Sequence, residues 1–124
     1  MKRFSEKYIE TKKMEWEQLG GGVSRKFLGY DNQIMMVKVK FDKGALGSPH
    51  QHFHTQATYC ISGKFEFEID GEKKIIGAGD GVYIEPNLLH SAICLEEGML
   101  IDTFSPVRED FLSGDGVSYF GEKK

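Results

Sequence analysis

Apolar and charged residues alternate along two stretches of this 124-residue chain, and that period of two constrains the fold more than any other feature. Met35, Val37, Val39 and Phe41 alternate with Met36, Lys38 and Lys40; further on, Phe65, Phe67 and Ile69 alternate with Lys64, Glu66 and Glu68. Successive side chains of a strand point to opposite faces of its sheet, so each stretch predicts a strand with one face in a core and the other in water. Turn signals punctuate the rest. Asp70-Gly71 marks a two-residue hairpin, because glycine tolerates the positive φ such turns demand. Gly20-Gly21-Gly22, Asp31-Asn32, the corner 77–81 and Glu97-Gly98 mark further turns.

Strands are therefore expected over residues 14–19, 23–30, 33–41, 56–61, 64–69, 72–76, 81–85, 91–95 and 99–104, with 44–49 as a loop. Fifteen glycines against three prolines suit many short strands joined by tight turns. About nine or ten strands at this spacing predict an all-β barrel or sandwich, of which the double-sheet jelly roll is one solution. After Pro106 the pattern breaks. Residues 108–112 have room for one helical turn, and 113–124 form a polar, glycine-bearing tail expected to be loose. One domain over 14–112, an N-terminal extension over 1–13 and the tail account for the chain.

Charge and hydropathy close off several function classes. A net charge of −3 and a pI near 5.8 supply no basic field for nucleic acid, and no helix-turn-helix pattern accompanies it. No apolar run approaches membrane-spanning length, and the start MKRFSEKYIETKKMEW lacks the apolar centre of a signal peptide. No membrane partner and a cytoplasmic location are expected. There Cys60 and Cys94, at strand-like positions, are expected as buried free thiols.

Three of the four histidines, His50, His52 and His54, fall within five residues of the run PHQHFHTQATYCISG. The fourth, His90, ends GDGVYIEPNLLH behind a Pro86-Asn87 turn. Imidazole is the commonest metal ligand and is largely neutral at neutral pH. On an extended strand His50 and His52 point to the same side. A third histidine from a separate strand would complete a metal site on a β scaffold, and Asn87, tolerant of the left-handed region, could aim His90 back across the barrel. His54 is open to three readings: a ligand in place of Gln56, a substrate contact or an exposed loop residue.

The pattern His50-x-His52-x3-Gln56-x6-Gly63, followed by Gly79, Pro86 and His90, resembles the two motifs of the cupin superfamily over residues 44–95. The resemblance implies a double-stranded β-helix, a jelly-roll barrel, and one divalent transition metal held by His50, His52, Gln56 and His90. Nickel, zinc, iron and manganese all accept such ligands. Gln56 stands where the superfamily pattern has Glu. Three imidazoles and an amide leave a divalent ion its full charge, which favours Lewis-acid work over support of oxidised iron.

The segment MLIDTFSPVREDFL carries the second constellation. Leu100, Asp102 and Phe104 share a strand face, and a carboxylate on an apolar face is costly unless paired. Arg108 is one partner for it and a metal cation another. The residues leave open a structural Asp102–Arg108 ion pair, or a proton-transferring Asp102 with Arg108 as a carboxylate clamp. The run HQHFHTQ, His90 and the run DTFSPVR, with the lead-in from Trp16, resemble the small pectin-degradation cupins over residues 15–112, and Gln for Glu is a feature of that group too. That resemblance implies an enzyme for metal-dependent ring opening (ketonisation) of 4,5-unsaturated monouronates from pectin or alginate breakdown, giving linear keto sugar acids. Asp102 and Arg108 would be catalytic, with Phe104, Arg108 and His54 against the substrate. It also implies a homodimer, which residues 14–19 could form by strand addition. Two other readings stand beside it: a non-catalytic cupin that binds a sugar acid or metal, and another cupin enzyme, a dioxygenase or sugar isomerase.

Overall fold

The computed structural model describes residues 2–113. Its strands run β1 Glu17–Gly20, β2 Val23–Tyr30, β3 Met35–Phe41, β4 Leu46–His50, β5 Thr55–Ile69, β6 Glu72–Gly77, β7 Gly81–Ile84 and β8 His90–Ser105, followed by helix α1 Glu109–Ser113. All pairings are antiparallel. The all-β jelly-roll expectation holds, with eight strands among the described residues rather than nine or ten.

The difference in count has a physical origin. Residues 56–61 and 64–69 are one strand, β5, and 91–95 and 99–104 are one strand, β8; Glu97-Gly98 is a bend within β8 and not a hairpin turn. The two long strands pair with each other from Thr55 opposite Ser105 to Ile69 opposite His90, with register shifts near their middles. Each passes through both halves of the barrel. On one side of the bend the order is β1-β2-β3-β8-β5-β7, and on the other β4-β8-β5-β6. The bend is possible because two glycines meet there. A Cβ on Gly98 would lie 2.1 Å from the Ser62 carbonyl oxygen and 2.6 Å from Gly63 Cα, and Gly63 itself has φ +85°. Only glycine lets the strands cross so closely while the ladder continues.

Residues 44–49, expected as a loop, contribute to β4, which pairs with the first half of β8. The residues Gly47, Ser48 and Pro49 gave no alternating pattern there, so this short strand was invisible to periodicity. The first strand begins at Glu17 rather than residue 14, and β3 at Met35 rather than 33.

The core is the one the alternation predicts. Met35, Val37, Val39 and Phe41 are buried, and they pack in one cluster with Phe65, Phe67, Leu100 and Phe104. Ile69, at the end of its strand, is only half-buried. Cys60 and Cys94 are buried free thiols. The turn expected at 108–112 is α1, whose Phe111 and Leu112 are buried, with the Phe111 ring edge-on to Phe104 at 5.6 Å. The N-terminal extension lies along β2: the Tyr30 hydroxyl donates to the Lys2 carbonyl, and Arg3 forks onto Glu109 at 2.8 and 2.9 Å. The predicted tail beyond Ser113 lies outside the described residues. No helix among the described residues is long and apolar enough to cross a membrane.

Gly98→Ala must push backbone atoms apart, so unfolding in denaturant should show a loss at or above the upper end of the over-packing range of about 1–3 kcal/mol. Gly29→Ala, whose new Cβ would come no nearer than 3.9 Å to Ser5 Oγ, should change stability by less than about 1 kcal/mol. Equal losses would contradict the crossing account.

Candidate metal centre

His50 ends β4, His90 begins β8, and the two are direct partners in the β4–β8 ladder. Their ring centroids are 4.3 Å apart. His52 follows the end of β4 in an irregular loop, so it does not share a strand face with His50 as the x-spacing suggested. The loop is held instead by the Asn87 backbone N–H, which donates to the His52 carbonyl at 2.7 Å. Asn87 has φ +68°, the left-handed conformation its residue type tolerates. The turn thus docks the His52 loop as well as leading into His90.

Backbone carbonyls orient the rings. His50 Nδ1–H donates to the Ser48 carbonyl at 2.8 Å and His90 Nδ1–H to the Leu88 carbonyl at 2.9 Å. Each bond leaves Nε2 as a lone pair. His90 Nε2 is buried with no hydrogen-bond partner. His52 stands with Nδ1 3.2 Å from the His54 carbonyl and Nε2 3.0 Å from Gln56 Oε1. A neutral ring has one N–H for these two oxygens, so one contact sets a lone pair against a lone pair. One ligand atom from each of His50, His52 and His90 lies within 4.8 Å of the others. The partnerless Nε2 of His90, converging with the nitrogens of His50 and His52, fits a cation, and the all-nitrogen donor set suits a divalent transition metal.

Electrostatics keep the donors free of protons. Burial, then the neighbouring His90 charge, lowers the His50 imidazole to about 4. Burial and the Arg108 charge lower His52 to about 3, and burial also lowers His90. A metal binding at neutral pH has no proton to displace from these rings.

Gln56 and Asp102 line the cavity beside the triad, together with His50, His90, Leu100 and Phe104. Asp102 is 4% exposed. Burial pushes its carboxyl up to about 6, against the opposing pull of the Thr58 hydrogen bond and the Arg108 charge. The Thr58 hydroxyl donates to Asp102 Oδ1 at 2.7 Å, and Gln56 Nε2 donates to Thr58 Oγ1 at 3.0 Å. Arg108 does not pair with Asp102. Its guanidinium forks onto Asp110, Nε at 3.0 Å and Nη2 at 2.8 Å, and lies over the rings of Phe104 and Phe111.

His54 is buried, so the exposed-loop reading is set aside. Its Nε2–H donates to the Val107 carbonyl at 3.2 Å, its ring stacks on Phe53, and its Nδ1 has no partner. It lies outside the three-histidine group. Thr58 escaped the sequence reading. Its only signal was register: it faces inward two residues after Gln56 and stands opposite Asp102 in the β5–β8 ladder.

The sequence profile of the cupin domain matches residues 37–103, more than half of the chain. This chain is a cupin. It is 46% identical over 108 residues to the pectin degradation protein KdgF of Dickeya dadantii, covering 86% of this chain and 98% of that protein. The cupin also resembles the crystal structure of an RmlC-like cupin from Shewanella frigidimarina, with a TM-score of 0.87 and 44% identity over 89% of this chain and 99% of the other. The structure of KdgF from Halomonas sp. matches with a TM-score of 0.83 and 37% identity, over 86% and 99%.

The Asp102 carboxyl sets a pH test on the metal-free protein. The folded state holds this proton more tightly than the unfolded chain does, where the group titrates near 3.8. Stability is therefore lost as pH rises from about 4 through about 6, and the penalty is complete above that, about 3 kcal/mol as an order of magnitude. Asp102→Asn should be more stable than the parent at pH 8, with the gain shrinking towards pH 4, in denaturant melts of both proteins. A gain that does not change with pH would contradict the assignment.

Proposed function

We propose that this cupin opens the ring of 4,5-unsaturated monouronates from pectin or alginate breakdown, giving linear keto sugar acids. The observation that carries the reading is a single buried carboxyl, Asp102, lining the same cavity as His50, Gln56 and His90 and held near the pH at which it can both take and give a proton. Its near-full-length likeness to a pectin degradation protein supports the substrate class.

His50, His52, Gln56 and His90 would hold one divalent transition metal, nickel, zinc, iron or manganese. When bound, that ion supplies Lewis-acid polarisation of substrate oxygens. The remaining work falls to the chain's own groups. Substrate and product contain the same atoms, so ring opening and the enol-to-keto change need proton movement and no added reactant. Asp102 moves that proton between the anomeric or ring oxygen and the enol carbon, and its position near neutrality suits both directions. Asp110 takes two of the five N–H bonds of Arg108 and fixes its plane; the rest are free to clamp the substrate carboxylate. Phe104 walls the pocket, and the unpartnered Nδ1 of His54 is an acceptor for a sugar hydroxyl. The same reading makes the protein a cytoplasmic homodimer. Among the described residues β1 pairs only with β2, which leaves an edge for a second copy.

The test is to mix the protein with lyase-generated unsaturated monouronate and follow the enol absorbance. Accelerated loss is expected, and Asp102→Ala, assayed at saturating metal, should lower turnover about 10²–10⁴-fold, the usual worth of a general acid–base group. Binding without accelerated loss would favour a sugar-acid-binding cupin, and full activity of the Asp102→Ala variant would remove Asp102 from the mechanism.

A further inference from the structure

Gln56 can turn either end of its amide towards the metal position, and the two ends are not equivalent. The oxygen can ligate a cation; the NH2 group cannot. The neighbours of Gln56 decide which end is presented. Gln56 and Thr58 are two residues apart on β5 and both are buried, and Thr58 stands opposite Asp102 in the β5–β8 ladder. A threonine hydroxyl has one proton. At 2.7 Å that proton goes to Asp102 Oδ1, which as a carboxylate only accepts. Thr58 Oγ1 is left as an acceptor, and Gln56 Nε2 donates to it at 3.0 Å while approaching Asp102 Oδ1 at 3.5 Å. Oε1 then faces His52 Nε2 at 3.0 Å.

The reversed amide would set Oε1 against two acceptors and NH2 against the metal position. All three side chains are 6% exposed or less, so bulk water cannot compensate for a wrong choice. We infer that Thr58 is a positioning residue that locks the Gln56 amide with its oxygen towards the metal, using Asp102 as the anchor. The inference rests on the reading of Gln56 as a metal ligand. It also gives a reason for the amide in place of the Glu of the superfamily pattern. A carboxylate at position 56 has no hydrogen to offer Thr58, and would bring a second negative charge against Asp102. The chain Asp102–Thr58–Gln56 runs in one direction, and only a donor at position 56 completes it.

Zinc titration calorimetry on the metal-stripped protein tests this without any turnover, alongside hydrogen exchange of the Gln56 side-chain amide in the metal-free state. Thr58→Val keeps the shape and removes the hydroxyl. It should weaken zinc binding about 10–100-fold, as loss of a group orienting a ligand does, and its Gln56 amide should exchange quickly. Thr58→Ser keeps the hydroxyl and should stay close to the parent in both measurements. Zinc binding by Thr58→Val equal to the parent, or equal losses in the Val and Ser variants, would overturn the inference, the second outcome pointing to methyl packing. Should Thr58→Val fail to fold, Thr58→Ala takes its place with the same expected loss. A parent protein that binds no zinc would count against the metal-centre reading, and slow exchange of the parent's Gln56 amide, lost in Thr58→Val, would still support the lock.

Discussion

β5 and β8 are hydrogen-bonded to one another along almost their whole length, and Gln56, Thr58, Asp102, Phe104 and His90 take their places from that ladder. Gln56 and Thr58 sit near one end of it on β5, opposite Phe104 and Asp102; His90 sits at the other end of β8, where β4 delivers His50 to its side. The ladder could not run so far if it were straight, because the barrel has to close. The meeting of Gly63 and Gly98 bends it, and that close approach allows two strands to serve both halves of the barrel. The candidate metal centre and the carboxyl are thus both tied to that pairing. A slip of one residue would turn Gln56, Thr58 and Asp102 to the outer face together.

Burial does the electrostatic work. It holds the imidazoles of His50, His52 and His90 neutral, ready to offer lone pairs, and it lifts the Asp102 carboxyl towards neutrality. Arg108 adds to the first effect and opposes the second. Its guanidinium lies over the Phe104 ring, while its own counter-charge, Asp110, stays in α1. One desolvated cavity therefore favours both a metal ligand set and a proton carrier, which in water would need different pH ranges.

Much of this was legible in the chain itself. Period-two alternation located β3 and the outer half of β5, and the spacing of His50, His52 and His90 brought together the residues that converge. What stayed hidden depended on contacts distant in sequence. The long β5 and β8 looked like pairs of strands because a glycine bend and a glycine turn read alike until the partner strand is known. β4 lacks alternation, so pairing alone reveals it. The pairing of Arg108 with Asp110 was decided by the geometry of α1, and Thr58 mattered only once its register against Asp102 was visible. His52 reached the site for a reason the spacing did not contain, a loop docked on the Asn87 turn.

The central claim is that this cupin opens unsaturated uronates at a metal centre built from His50, His52, Gln56 and His90. The most direct measurement is the turnover rate of unsaturated monouronate before chelation, after chelation and after return of a divalent transition metal. The rate should fall to background on stripping and recover on reloading, with the barrel's circular dichroism unchanged throughout. An undiminished rate in protein shown by elemental analysis to be metal-free would contradict it.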